Sequence, residues 1–362
     1  MIHFIHAADF HLDSPFAALS PERARTRRSE LRQLPARLAD YADTHGTDLV
    51  LLSGDLLDGE SYRETADALR DALGRIAAPV FIAPGNHDWY GEKSPYASLP
   101  WPENVHVFST SSMEAVALPE LGVVVHGAAF TAPEQTRGLL TGFTAPADGQ
   151  IHLGVLHGEL DGADSRYNPI TREKIAASGL TYLALGHIHK RSELLNIGTT
   201  AVAWPGCPEG RGFDELGEKG FCEGTIDDAG AVSLQFVPFA QHRYEILTVD
   251  ITGKDPLAAV AAALPQDTAR DLYRIILTGQ SEETGVDSAQ MQALLAPRFE
   301  AVEVEDKTRL SEDLWARAGE YTLRGLFLRE LKEKRAAATE EDRETVELAA
   351  RLGLAALDHR DF

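Results

Sequence analysis

The sequence predicts an α/β protein built in layers, and three observations predict it. Short apolar runs alternate with segments of helical period over residues 1–240. Most of those runs stop at Gly or Pro. The runs are continuously apolar, which suits strands covered on both faces. With 362 residues, 44% of them hydrophobic, the chain has the length of two or three domains and can bury a large core.

The elements follow in order. Ile2–His6 is the first strand. Leu31–Asp43 carries Leu31, Leu34, Leu38 and Tyr41 on one stripe and predicts a helix. Leu49–Leu52 is a strand running into Gly54, Ala66–Ile76 returns to helical spacing, and Val80–Ala83 is a strand running into Pro84-Gly85. Val123–His126, Ile151–Leu156 and Tyr182–Leu185 are further strands. After residue 240 the texture changes. Ile246–Thr252 is a strand, and Asp255-Pro256 reads as an N-cap with Pro at the first helical position, opening Leu257–Leu264. Asp271–Thr278 is a strand, Ser288–Phe299 a helix and Ala301–Val304 a strand. From Ser311 the chain reads as helix, with Leu314, Ala318, Tyr321, Leu326 and Leu328 apolar among charges and Lys332–Glu347 as a solvated stretch. Domains are expected over 1–240, 241–308 and 309–362.

Composition excludes several classes. No run of about 18 apolar residues offers a membrane span. The start, MIHFIHAADFHL, lacks the pattern of a secretory signal. Cys207 and Cys222 are the two cysteines, and neither belongs to a CxxC pair, so a disulfide framework and a zinc knuckle are not expected. A cytoplasmic setting fits. The net charge of −22 opposes simple phosphate tracking along DNA, although bound divalent cations reverse the local field.

The chemistry-bearing residues lie at strand ends. Asp9 and His11 follow the first strand; Gly54-Asp55, Gly85-Asn86-His87-Asp88, His157-Gly158-Glu159 and Gly186-His187-Ile188-His189 follow four others. Sites in open α/β sheets form beyond the carboxyl ends of strands. Carboxylate, amide oxygen and imidazole form a mixed N/O set that suits Mn²⁺, Fe²⁺ or Zn²⁺ better than Cu(I) or Ca²⁺. Seven such residues exceed the demand of one ion. With one shared carboxylate they serve two, the clamp used for in-line displacement at phosphorus.

In this order, DxH, GDxxD, GNHD, HGE and GHIH resemble the calcineurin-like metallophosphoesterases. Ala184–Arg191, Trp204–Pro208 and Gly217–Gly220 narrow the likeness to DNA repair exonucleases of the SbcD type and their shorter YhaO-like relatives. The resemblance implies a four-layer αββα sandwich with a small α+β capping domain and C-terminal helices. It implies one cation on Asp9, His11, Asp55 and His189 and another on Asp55, Asn86, His157 and His187, with Mn²⁺ the expected metal for both. His87 would face the scissile phosphate, with Asp88 orienting it. Asp58 stands where some members carry His. The implied activity is a metal-dependent exonuclease or endonuclease acting on DNA ends in repair. An SMC-like ATPase of the SbcC type would dock on the C-terminal helices, and a homodimer would form through helices near residues 60–76 and 92–99.

Blander readings stand beside these. His126 imitates His157 but is expected to be a packed strand-end residue, and His3 and His6 are expected to be structural. His45, His106, His152, His242 and His359 have no motif context and are expected at the surface. The arginines between Arg23 and Arg37 are weighed as a solvated face against a DNA grip, with the net charge favouring the former. Lys190, Arg191 and Arg211 are the candidates for phosphate contact. A small-molecule phosphodiesterase, such as one for cyclic nucleotides, is the competing function. A protein phosphatase fits less well because Gly59-Glu60 and Asp88 break its motifs, and a scaffold would not need all seven ligands.

Overall fold

The computed structural model describes residues 1–17, 19–59, 62–162, 164–281, 286–310 and 315–357. Two compact units divide it, Met1–Gln241 and His242–Phe362.

In the first unit the strands are β1 (Ile2–Ala7), β2 (Leu49–Leu52), β3 (Val80–Ile82), β4 (Val105–Val107), β5 (Glu114–Leu118), β6 (Val123–Gly127), β7 (Ile151–His157), β8 (Glu159–Leu160), β9 (Pro169–Ile170), β10 (Tyr182–Gly186), β11 (Leu195–Ile197), β12 (Thr200–Ala203), β13 (Gly220–Ile226) and β14 (Val232–Pro238). The helices are α1 (Pro21–Leu31), α2 (Leu34–Thr44), α3 (Arg63–Gly74), α4 (Pro95–Ser98) and α5 (Arg172–Ala176). Six strands form one sheet in the order β14-β13-β1-β2-β3-β4, and six form a second in the order β11-β12-β10-β7-β6-β5.

The two sheets face one another. Phe4, Leu49, Leu51 and Phe81 of the first interdigitate with Val123, Val125, Leu153, Val155, Tyr182 and Ala184 of the second, in one buried cluster. The outer face of the first sheet (Ile5, Val50, Leu52, Val80, Ile82) packs on Leu31, Leu34, Leu38, Leu69 and Leu73 of α1–α3. The outer face of the second (Leu156, Leu183, Leu185, Val202) packs on Ile175 and Leu180. The central strands are therefore mostly apolar because both their faces are covered, and the four layers are helix, sheet, sheet, helix.

Two sequence expectations change here. The single helix over Leu31–Asp43 is the end of α1 plus α2, broken at Arg32-Gln33, where Pro35 starts a new helix. Its stripe survives the break: Leu31, Leu34 and Leu38 are all buried. The strands β4, β5, β8, β9 and β11–β14 were not foreseen. Several are two or three residues long. In β13 the apolar run is interrupted by Gly220 and Gly224, and a side chain at Gly224 would collide with the Phe4 ring on neighbouring β1.

The second unit holds β15 (Tyr244–Asp250), α6 (Pro256–Ala263), β16 (Leu272–Thr278), β17 (Gln280–Ser281), α7 (Ser288–Leu295), β18 (Ala301–Asp306), β19 (Arg309–Leu310), α8 (Leu323–Ala337) and α9 (Glu340–Leu357). Strands β15, β16 and β18 form a parallel sheet, and its core is Val260, Ile275, Leu277, Met291 and Leu295. The Asp255 side chain caps α6 as expected. The helix expected over Ser288–Phe299 ends at Leu295 and tightens into a 3₁₀ turn over Ala296–Arg298, where Pro297 intervenes. Residues after 309, expected as a separate segment, are tied to the sheet by Arg351, which bonds Asp306 and Thr308. Trp315 is buried with Ala318, Leu328, Leu331, Ala350 and Leu354. Leu314 and His359 lie outside the described residues. No helix among the described residues is long and apolar enough to cross a membrane.

Two histidines expected at the surface are buried. His152 bonds His126 at 2.9 Å and Asp148 at 3.0 Å, and His242 bonds the Arg270 carbonyl at 2.7 Å. A ring satisfied at its nitrogens is buried at little cost. His126 is the packed strand-end residue foreseen, beneath Phe143.

A candidate dimetal centre at the strand ends

All seven candidate ligands meet beyond the carboxyl ends of β1, β2, β3, β7 and β10. Their turns are tight. Asp9, His11, Asp55 and His187 all have left-handed backbone, with φ of 57°, 45°, 52° and 94°. Residues other than Gly seldom adopt it, and such strain gathers at functional sites. Gly186 is obligatory: a Cβ there would run into the Ser53 carbonyl oxygen.

The ligand atoms crowd together. His11 Nε2 stands 3.1 Å from His189 Nε2 and 3.7 Å from Asp55 Oδ2. His157 Nε2 lies 2.9 Å from Asn86 Oδ1 and 3.3 Å from Asp55 Oδ2. His187 Nδ1 lies 3.2 Å from Asn86 Oδ1. Asp9 accepts from the His187 amide at 3.1 Å. Two donors about 2.1 Å from one ion stand about 3.0–3.4 Å apart, so these spacings suit shared cations. Asp55 reaches both the His11 side and the His157 side.

Hydrogen bonding supports the same fit. His157 Nδ1 donates to the Ser53 carbonyl at 2.9 Å, which turns Nε2 toward the acceptors Asn86 Oδ1 and Asp55 Oδ2. His11 is buried and its Nδ1 has no hydrogen-bond partner. A cluster of acceptors facing one another requires either a proton or a cation between them. Without the cation, the proton goes to His157. Burial alone would lower its imidazole, but the charge and hydrogen bond of Asp55, with Asp9, raise it to about 9. Burial alone would raise the Asp55 carboxyl, and the His157 charge outweighs this and holds it below the usual carboxylate range. Burial pushes Asp9 up to about 6 and draws His11 and His187 down to about 4. Among the described residues, three triads lie close enough to hold an ion: Asp9-His11-His189, Asp9-Asp55-His157 and His11-Asp58-His87.

Asp88 does something other than expected. Its carboxylate accepts five hydrogen bonds, from the amides of Gly85, Asp55, Leu56 and Leu57 and from the Tyr96 hydroxyl at 2.6 Å. It ties the Asp55 turn to the Asn86 turn and makes no bond to His87. The partner of His87 is Asp58, whose Oδ1 lies 2.8 Å from His87 Nδ1. That bond raises the His87 imidazole above its ordinary value, while the His87 amide donates to Asp55 at 2.9 Å. Half-exposed, His87 is the ring that borders solvent beside the ligands.

The cations near the site differ too. Arg211 is committed: Nη2 bonds Glu215 Oε1 at 2.7 Å, and its amide donates to Oε2 at 2.8 Å. It is therefore corrected from a free phosphate contact to part of an internal ion pair. Arg191 lies over the Phe236 ring at 4.4 Å, and Lys190 is exposed. Arg27 is buried against Glu30 and Glu209, so the arginine run of α1 includes structural pairing. Sequence reasoning named Asp58 without its role toward His87, and it missed Glu215, Ser53 and Asn168, the last of which donates to the His157 carbonyl at 2.8 Å. Glu215 had one signal, its place just after the glycine-rich stretch Gly206–Gly212.

Residues 2–191 match the family model described as calcineurin-like phosphoesterase. The chain is 31% identical over 301 residues to an uncharacterized metallophosphoesterase, YhaO, of Bacillus subtilis, a match covering 77% of this chain and 72% of that one. It is 22% identical over 367 residues to the DNA double-strand break repair protein Mre11 of Methanopyrus kandleri, covering 92% of this chain and 77% of that one. Among solved structures, a dimetal phosphatase from Danio rerio aligns with a TM-score of 0.39 at 10% identity, covering 62% of this chain and 92% of that one.

Proposed function

Because the chain belongs to the calcineurin-like phosphoesterase family, we propose that it is a two-cation phosphodiesterase that cleaves DNA at its ends, as an exonuclease or endonuclease in repair. The observation that carries the hydrolytic part is the convergence of seven N/O candidate ligands from five separate turns, six of them at 2.9–3.7 Å spacings and Asp9 grouped with His11 and His189 and with Asp55 and His157. The DNA part is supported by similarity to the repair protein Mre11 over 92% of this chain.

Asp9, His11, Asp55 and His189 would hold one divalent ion, and Asp55, Asn86, His157 and His187 the other, with Mn²⁺ suited to both and Fe²⁺ or Zn²⁺ compatible. When bound, such a pair supplies an activated water and offsets the charge of the phosphoryl oxygens. The chain's own groups do the rest. Asp58 holds Nδ1 of His87, so proton transfer at this ring falls to Nε2. In its charged form His87 steadies the phosphoryl group and protonates the leaving oxygen. Asp88 keeps Asp55 and Asn86 in register. Lys190 and Arg191, exposed next to His189, are the candidates for contact with flanking phosphates. Tyr321, Leu323 and Leu326 are exposed apolar residues at the start of α8. They are the surface this reading offers to an SMC-like ATPase of the SbcC type, and Tyr62 before α3 is the one it offers to a homodimer.

The test is Mn²⁺-dependent hydrolysis of end-labelled duplex and single-stranded DNA beside a chromogenic diester. Asp55→Asn and His187→Ala should abolish turnover. His87→Ala should retain Mn²⁺ and lose about 10²–10⁴-fold in kcat; undiminished cleavage by that variant removes the role given to His87. Hydrolysis confined to the small diester would favour a small-molecule phosphodiesterase, the reading that the net charge of −22 accommodates more easily.

A further inference from the structure

We propose that Glu215 is a positioning residue for His189, fixing its tautomer so that Nε2 presents a lone pair to one of the two cations; this rests on the two-cation reading above. Glu215 is buried, and its Oε1 lies 2.7 Å from His189 Nδ1. A carboxylate accepts only, so at that distance Nδ1 carries the hydrogen and donates it. Arg211 Nη2 also comes within 3.0 Å of Nδ1. Arginine donates only, and a protonated Nδ1 cannot accept from it, so that approach follows from both groups sharing Oε1. With Nδ1–H fixed, Nε2 is the bare nitrogen, and it is the atom that meets His11 Nε2 at 3.1 Å. Metal-bound imidazoles are commonly held this way, by a carboxylate on the far nitrogen.

The loop carrying Glu215 is itself anchored. Arg211 grips both Glu215 oxygens. Glu209 in the same loop is bonded by Arg27 of α1 at 2.8 Å and by the Gln241 amide at 2.7 Å. Lys219 donates to the His189 carbonyl at 3.4 Å. Glu215 is therefore held on one side by a guanidinium and on the other by a ring, and rotation away from His189 would break the ion pair. On the other side of the centre the corresponding task falls to a backbone carbonyl, Ser53, which fixes His157. The two cations thus differ in how their imidazoles are held, and only one depends on a titratable side chain.

The experiment titrates Mn²⁺ into the full chain by calorimetry and reads ring tautomers by ¹⁵N NMR of histidine-labelled, metal-free protein. In the parent, His189 should be the Nδ1–H tautomer. Glu215→Ala should lose that preference and bind one of the two Mn²⁺ ions 10–100-fold more weakly, leaving the other unchanged. Glu215→Gln keeps an acceptor oxygen at the same reach and should recover most of the affinity. A thermal melt in chelator reports on folding separately, and if Glu215→Ala fails to fold, the Gln variant carries the test by a smaller loss at the same single ion. Equal weakening of both ions, or unchanged uptake and tautomer in Glu215→Ala, overturns the proposal alone. A parent chain that takes up no Mn²⁺ overturns the two-cation reading and this proposal with it.

Discussion

His6 shows how much a single buried ring can set. It sits between the sheets, bonded at 2.7 Å to the Tyr182 hydroxyl and at 2.8 Å to Ser53 Oγ, and burial lowers its imidazole to about 3. The unfolded chain takes up that proton near pH 6.5, so between 6.5 and 3 unfolding is coupled to protonation. Its contribution is complete above pH 6.5 and falls as the pH drops through that window, by up to about 1.4 kcal/mol per pH unit. His6→Gln should flatten the slope of stability against pH, read from urea midpoints at pH 7.5 and 5; an unchanged slope contradicts the assignment. At this scale the sequence was most legible where a residue belongs to a contiguous motif. The seven candidate ligands and His87 were all visible at strand ends. The roles of Asp58, which the GDxxD motif did show, and of Glu215, which no motif showed, were not, because each acts on a ring 29 or 26 positions away along the chain, and only the folded turns bring them together.

Between elements, Asp88 is the tether that local reading misplaced. Its neighbour in sequence is His87, yet its carboxylate turns inward to the amides of residues 55–57 on the far side of the turn. Asp88→Asn would place an NH₂ against a nest of N–H donors and leave several unpaired. The expected loss is about 3 kcal/mol or more of stability, seen as a lower urea midpoint, with Mn²⁺ uptake weakened because Asp55 and Asn86 lose their common anchor. Retention of both by Asp88→Asn would show the tether to be dispensable. Strands and helices were legible in proportion to their covering. β2 and β10 are buried on both faces and read as unbroken apolar runs, and β7 reads as one interrupted by His152. β14 alternates between half-buried and exposed positions and runs along the rim of its sheet, so no run announces it. The break between α1 and α2 was obscured because both helices continue one apolar stripe.

For the whole molecule, the excess of acid decides how it would meet DNA if it cleaves DNA as proposed. A protein that tracks DNA phosphates loses about 10³–10⁵ in affinity between 50 and 200 mM salt. That loss comes from counter-ions that protein cations displace from the DNA, and a chain of net charge −22 brings no excess of cations to displace them. Its kcat/KM on DNA with saturating Mn²⁺ should fall less than tenfold over that range, and a steep loss would reveal a basic track that the charge total hides. The layered α/β class was readable from texture, since continuous apolar runs require covering on both faces. The strand order was not, because it depends on a return of the chain from residue 220 that no local signal marks.

That return has a consequence during synthesis. The half-sheet β1-β2-β3-β4 can assemble once about a hundred residues have emerged, but the other edge of β1 pairs with Cys222–Ile226. At about 5–20 residues per second, roughly ten to forty seconds separate the emergence of those two strands. From the completion of β4 to the emergence of β13, roughly six to twenty-three seconds of it, the nascent chain offers an apolar ladder edge with its N–H and C=O groups unmatched, a template for any neighbouring strand. Crowded polysomes are therefore where this protein is most exposed to aggregation, and a chaperone that shields the first strand should raise its yield more than one that acts on the released chain.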